Sequence, residues 1–151
     1  RDPKSSGSAA SANTLRATKA IRFAASPTPG AFAVDEELNQ ASTGAVGKVV
    51  EYDSTNRILY YIQTRFNDEG TDSNGNLTAF SGTNVVTGQS TSATGTPDAD
   101  SDSTVNNVAF TNGYASSELD ADQGDVIYLE SRTPIARASD QSENVKLIVE
   151  F

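Results

Sequence analysis

Apolar and polar positions alternate most cleanly in the last nine residues, ENVKLIVEF. Val145, Leu147, Val149 and Phe151 fall on one side of an extended chain, with Asn144, Lys146, Ile148 and Glu150 on the other. This period predicts a terminal β-strand with one apolar face. Upstream, GKVVEYD (47–53) and RILYYIQTRF (57–66) are rich in β-branched and aromatic residues. The Ser-Thr-Asn between them predicts a β-hairpin with Asn56 in the left-handed position. In the second strand Ile58, Tyr60 and Ile62 face one way, and Leu59 and Tyr61 the other. Both faces begin apolar, so this strand is expected to be covered on both sides, at the centre of the core.

The other patterns are shorter. KAIRFA (19–24) reads as a strand stopped by Pro27, Pro29 and Gly30. VDEELNQAS (34–42) reads as a polar loop in preference to a helical turn. TVNNVAFTNGY (104–114) reads as a strand plus turn, and GDVIYLES (124–131) as a strong strand. Residues 1–18 form a small, polar entry segment. Between 67 and 104 only LTAF (77–80) and TNVVT (83–87) interrupt runs of Ser, Thr, Asn, Asp and Gly, so this region is expected to be a long polar interaction loop. The chain is therefore mainly β: β-sandwich-like antiparallel sheets of short strands with long polar loops, in a single β-rich domain over residues 1–151.

Composition narrows the function. Apolar residues are 36% of the chain, a lean core for 151 residues, which fits a domain that gains part of its burial from neighbours. Twenty acidic residues against 11 basic ones give a net charge of −9, which disfavours nucleic acid and anionic membrane surfaces as partners. No run reaches the roughly 18 apolar residues of a membrane span. With no Cys and no His, disulfides, thiolate nucleophiles, Ser-His pairs and the usual zinc sites are out of reach. The absence of Met, even at position 1, leads to the expectation of a portion of a longer protein.

Several hints of chemistry weaken when spelled out. GAVGKVV (44–50) has Ser42 where a phosphate loop needs its first Gly, and Val49 where it needs Ser or Thr. Asp98, Asp100 and Asp102 alternate as in a calcium loop, but Ser103 and Ala109 occupy the positions that want Gly and Glu. The acidic run around Asp68, Asp72 and Asn74 has no ordered spacing. No pair of carboxylates is marked out for glycoside hydrolysis. We therefore expect no catalytic residue, no metal ligand and no cofactor. One connector stands apart: in RTPIARASDQ (132–141), Pro134 stiffens the backbone, and Arg132 and Arg137 flank it in a chain short of cations. These arginines either pair with local acids such as Glu130 and Asp140 or bridge to a carboxylate or carbonyl across an interface.

The same end of the chain resembles a known family. FTNGYASSELDADQGDVIYLESRTPIARASDQSENVKLIVEF (110–151) is similar to the carboxyl end of a baseplate wedge subunit of T-even-type contractile-tailed phages, the wedge protein numbered eight. The family closes with a GEVIYIENR-PI-R segment, a DQTE-like turn and an IKVIVEF-like strand. Here these correspond to Gly124 to Glu130, Arg132, Pro134, Ile135, Arg137, Asp140, Gln141 and Val145 to Phe151. TGAVGKVVEYDSTNRILYYIQTRF (43–66) and RDPK (1–4) are more loosely similar, and the likeness is weak over 67–104. Family members are longer, so the resemblance implies a C-terminal portion. It also implies a non-enzymatic virion component of the tail baseplate, assembled in the host cytoplasm, that dimerises and joins other wedge subunits. Arg132, Pro134, Arg137 and Phe151 become the expected assembly interface. The alternative is a carbohydrate- or calcium-binding β-sandwich module on a surface protein, which would need an aromatic platform or an oxygen cage.

Overall fold

The computed structural model describes residues 16–64, 69–99, 102–119 and 145–149. The chain divides into two compact units, Arg1–Leu119 and Asp120–Phe151. All the named strands lie in the first: β1 (Lys19–Arg22), β2 (Glu37–Gln40), β3 (Ala45–Asp53), β4 (Ile58–Ile62), β5 (Val86–Gly88), β6 (Thr94–Gly95), β7 (Ser103–Val105), β8 (Val108–Phe110) and β9 (Tyr114–Ala115). Seven of them form one sheet in the order β6-β5-β2-β3-β4-β1-β9, and β7 and β8 form a separate hairpin. Every pairing is antiparallel. The unit is mainly β, built of short strands in antiparallel sheets, and no helix occurs among the described residues.

The β3–β4 hairpin is where the sequence placed it, with one change in its turn. Asp53 accepts the N–H groups of Thr55 and Asn56 on Oδ1 and the Asn56 side-chain amide on Oδ2. That carboxylate caps the turn and engages the Asn56 amide. The left-handed residue is therefore Arg57 (φ 58°) and not Asn56. Arg57 is held there from β1, since its carbonyl accepts Phe23 N–H and its guanidinium donates to Ala24 O at 2.6 Å. The β7–β8 hairpin turns through Asn106 and Asn107, both at positive φ, the geometry that a two-residue loop between twisted strands demands.

β4 is buried on both sides, as its pattern required. On one face Leu59 and Tyr61 join Ile21, Phe23, Phe32, Leu38, Val49, Phe80, Val86 and Ala93 in the larger core. On the other, Ile58 packs with Ala20, Val108, Phe110 and Ala115 under the β7–β8 hairpin. Pairing carries this division across the sheet, because paired residues share a face. Lys48 opposes Ile62 and Glu37 opposes Lys48, so these three lie on the hairpin's face of the sheet.

Three expectations change. VDEELNQAS is not a loop throughout: residues 37–40 form β2, with Leu38 and Gln40 fully buried. The region 67–104 is not only polar loop: it supplies β5 and β6 and places Phe80, Val86 and Ala93 in the larger core. β6 fits there at Gly95, where a Cβ would lie 2.6 Å from the Phe23 ring. Finally, residues 145–149 carry no strand and are exposed, Val145 at 89% and Leu147 at 81%, so they do not form the packed terminal strand that their alternation predicted. Alternation defines a strand only when a neighbour supplies the ladder.

Candidate assembly surface

Two buried polar anchors shape the surface by pinning loops. The Glu36 carboxylate accepts the backbone N–H groups of Ala33 (2.7 Å), Ser90 (3.3 Å) and Thr91 (3.1 Å), along with the Ser90 and Thr91 hydroxyls. Burial alone would push its proton affinity up. The Thr91 and Ala33 N–H groups and the two hydroxyls outweigh that, and the carboxyl sits below its usual value. Gln40 is the second anchor. Its amide donates to Asn84 O (2.8 Å), and its carbonyl accepts Ser81 N–H and the Thr43 hydroxyl, both at 2.9 Å. The Tyr114 hydroxyl donates to Gly82 O, and desolvation raises its pKa. Sequence reading missed both anchors, because Glu and Gln in a polar run look like solvated residues.

The hairpin's face of the large sheet is only half covered. Over β1 and β4 it lies beneath the hairpin, but over β2, β3 and the end of β4 none of the described residues covers it. A cavity of about 310 Å3 lies there, lined by Asp35, Glu37, Val46, Lys48, Thr64 and Glu69. The turn after Glu69 borders it: Gly70, at φ 65°, backs onto Val46 so closely that a Cβ would sit 2.8 Å from the valine side chain. Gln63 fastens this corner by donating to Val46 O at 3.0 Å and Thr78 O at 2.8 Å. Lys48 and Asp35 form an exposed ion pair at 3.7 Å, a geometry that contributes little in water. Ile62, paired with Lys48, is 37% exposed at the rim.

The acidic motifs have local partners. Asp98 pairs with Arg22 at 3.3 Å, and Asp102 accepts the Asn112 N–H at 2.9 Å. Asp72 organises its own turn by accepting the N–H groups of Asn74 and Asn76. Among the described residues no group of three or more acidic, His or Cys side chains is placed to hold a metal, and no helix is long and apolar enough to cross a membrane. Of the expected interface residues, Arg132, Pro134, Arg137 and Phe151 all lie outside the described residues, as does the strand expected at 124–131. What is described near them in sequence is the segment 145–149, where Leu147, Ile148 and Val149 are exposed. Leu147→Ser should accordingly leave the melting temperature of the isolated chain nearly unchanged, within about 0.5 kcal/mol of stability, as for other surface positions. A large drop would show that Leu147 is packed in solution.

The first unit is thus built of short antiparallel sheets, and the segment 145–149 of the second exposes apolar side chains. A protein-family model described as Bacteriophage T4, Gp8 matches residues 64–151, more than half of the chain, and the chain belongs to that family of T4-type baseplate wedge subunits. It is a structural component of the phage baseplate in the virion. The matched span contains the C-terminal stretch whose resemblance was quoted above, whereas the hairpin at 43–66 falls almost wholly before it. No curated protein and no solved structure matches the chain.

Proposed function

We propose that this chain works by protein–protein assembly, as a non-catalytic wedge component that joins other baseplate subunits and pairs with a second copy of itself, in the host cytoplasm before the virion is complete. The family match over 64–151 is the observation that carries this reading. The exposed apolar residues at 145–149 support it, since apolar side chains left in water gain most from a partner. Within the matched span, Arg132, Pro134, Arg137 and Phe151 are the residues we assign to the interface. A stiff connector with a guanidinium at each end suits bidentate recognition of a carboxylate.

The test separates assembly from folding. Arg132→Lys and Arg137→Lys keep the charge but lose the fork, so each variant should melt like the parent chain while its co-sedimentation with wedge subunits or with a second copy weakens about tenfold or more, the worth of a charge-assisted hydrogen bond of roughly 1.5–3 kcal/mol. Lower melting temperatures with assembly intact would mean that the two arginines brace only their own loop.

A further inference from the structure

The open half of the sheet face lies on β2 and β3, before the span that the family model matches. It combines three features. The floor is an ordered sheet with Val46 on it, flanked by the exposed Ile62. Among the described residues the rim carries three carboxylates, Asp35, Glu37 and Glu69, against one ammonium, Lys48. The recess between them, about 310 Å3, is large enough to take a side chain. The sheet edges offer less, since β6 and β9 have two residues each and β6 is further capped by the Thr28–Thr94 bridge. A partner would therefore meet this unit on its face more readily than by adding a strand.

We propose that this recess receives an arginine- or lysine-bearing segment of a different baseplate subunit. The aliphatic stem lies on Val46 and Ile62, and the charged head reaches Glu37, Glu69 and Asp35. Long cationic side chains bury their stems on apolar surface while their heads stay at a polar rim, and a guanidinium forks onto carboxylates. The net charge of −9 argues against a second copy as the occupant, because an acidic recess would approach an acidic body. Lys48, held by Asp35 at 3.7 Å, occupies part of the rim in the absence of a partner, and an incoming cation competes with it for that carboxylate.

This assignment rests on the assembly reading, and the experiment keeps the two apart. The probe is the phage's wedge intermediate prepared without this subunit, and incorporation of added chain is followed by sedimentation at low and high salt. The parent chain should incorporate, and its incorporation should weaken as salt rises. The Glu37→Gln/Glu69→Gln pair should incorporate at least tenfold more weakly with an unchanged melting temperature. Lys48→Glu, which removes the competing cation, should incorporate more tightly. Thr55→Lys, an added charge in the exposed β3–β4 turn at the far end of the hairpin, should behave like the parent. Parent-like incorporation of the double variant overturns the recess while leaving the assembly reading in place. A self-association that the double variant abolishes puts a second copy in the recess and also overturns it. A parent chain that fails to incorporate overturns both.

Discussion

Phe23→Ala is expected to destabilise the chain by about 3–5 kcal/mol, the range for deleting a buried aromatic ring. Phe23 is fully buried, stacked on Phe32 at 5.4 Å and 18°, with Tyr52 tilted against it at 6.4 Å. Below the ring is the bare backbone of Gly95, which has no side chain to move into the space that Ala would leave. Phe32 and Tyr52 are locked edge to face at 5.9 Å, so the hole cannot close from that side either. Urea unfolding of the variant beside Val34→Ala makes the measurement specific. Val34 is 64% exposed, and its truncation should cost no more than about 0.5 kcal/mol. Equal losses for the two would show that the Phe23 cluster is not the centre of the larger core.

The second large effect concerns Glu36. Glu36→Gln should cost about 1.5–3 kcal/mol, the range for hydrogen bonds to a charged group. The substituted amide would present its own N–H groups to the donors of Ala33, Ser90 and Thr91, which the carboxylate now satisfies. Gly88→Ala attacks the same contact from the other side, since its Cβ would lie 2.5 Å from Glu36 Oε2. The pH dependence has a definite sign. Burial raises the pKa of Glu36, the hydrogen bonds from Thr91, Ala33 and Ser90 lower it by more, and the folded value is below the ordinary 4.5. The stabilisation is thus complete above about pH 4.5 and is lost as pH falls through the folded value. Asp53, lowered chiefly by the Asn56 side chain, adds a slope of the same sign. Melting temperatures measured from pH 6 downward should fall steeply for the parent chain and less steeply for Glu36→Gln, which has no carboxyl to titrate at that site. Identical slopes would assign the acid sensitivity to other carboxylates.

Local pattern was a sufficient guide for β1, β3 and β4. β3 and β4 were legible because Val49, Leu59 and Tyr61 face the larger core while Ile58 faces the smaller, as the alternation in RILYYIQTRF requires. β1 was legible for the same reason, with Ile21 and Ala20 on opposite faces. The family likeness of the C-terminal stretch was also present in the residues alone, and the family match includes it.

Other features needed the whole chain in place. β2, with the sequence ELNQ, has only one large apolar residue and becomes a strand because β3 and β5 supply ladders on both sides. β5 and β6 read as loop because their buried positions are Val86, Gly88 and Gly95, with the two glycines small enough to admit the Glu36 carboxylate and Phe23 from distant parts of the chain. The left-handed residue is Arg57 and not Asn56: Asp53 caps the turn and engages Asn56, while Phe23 and Ala24, just after β1, hold Arg57. The open recess is a product of strand order: Glu37, Val46, Lys48 and Glu69 share no motif, and they meet because β2 pairs with β3 while the β7–β8 hairpin covers only the far half of the sheet. The segment 145–149 shows the limit from the other direction. Its alternation is the cleanest in the chain, yet it is no strand in the described structure, because periodicity says which side chains share a face and only a neighbouring strand supplies the hydrogen bonds that make the face real.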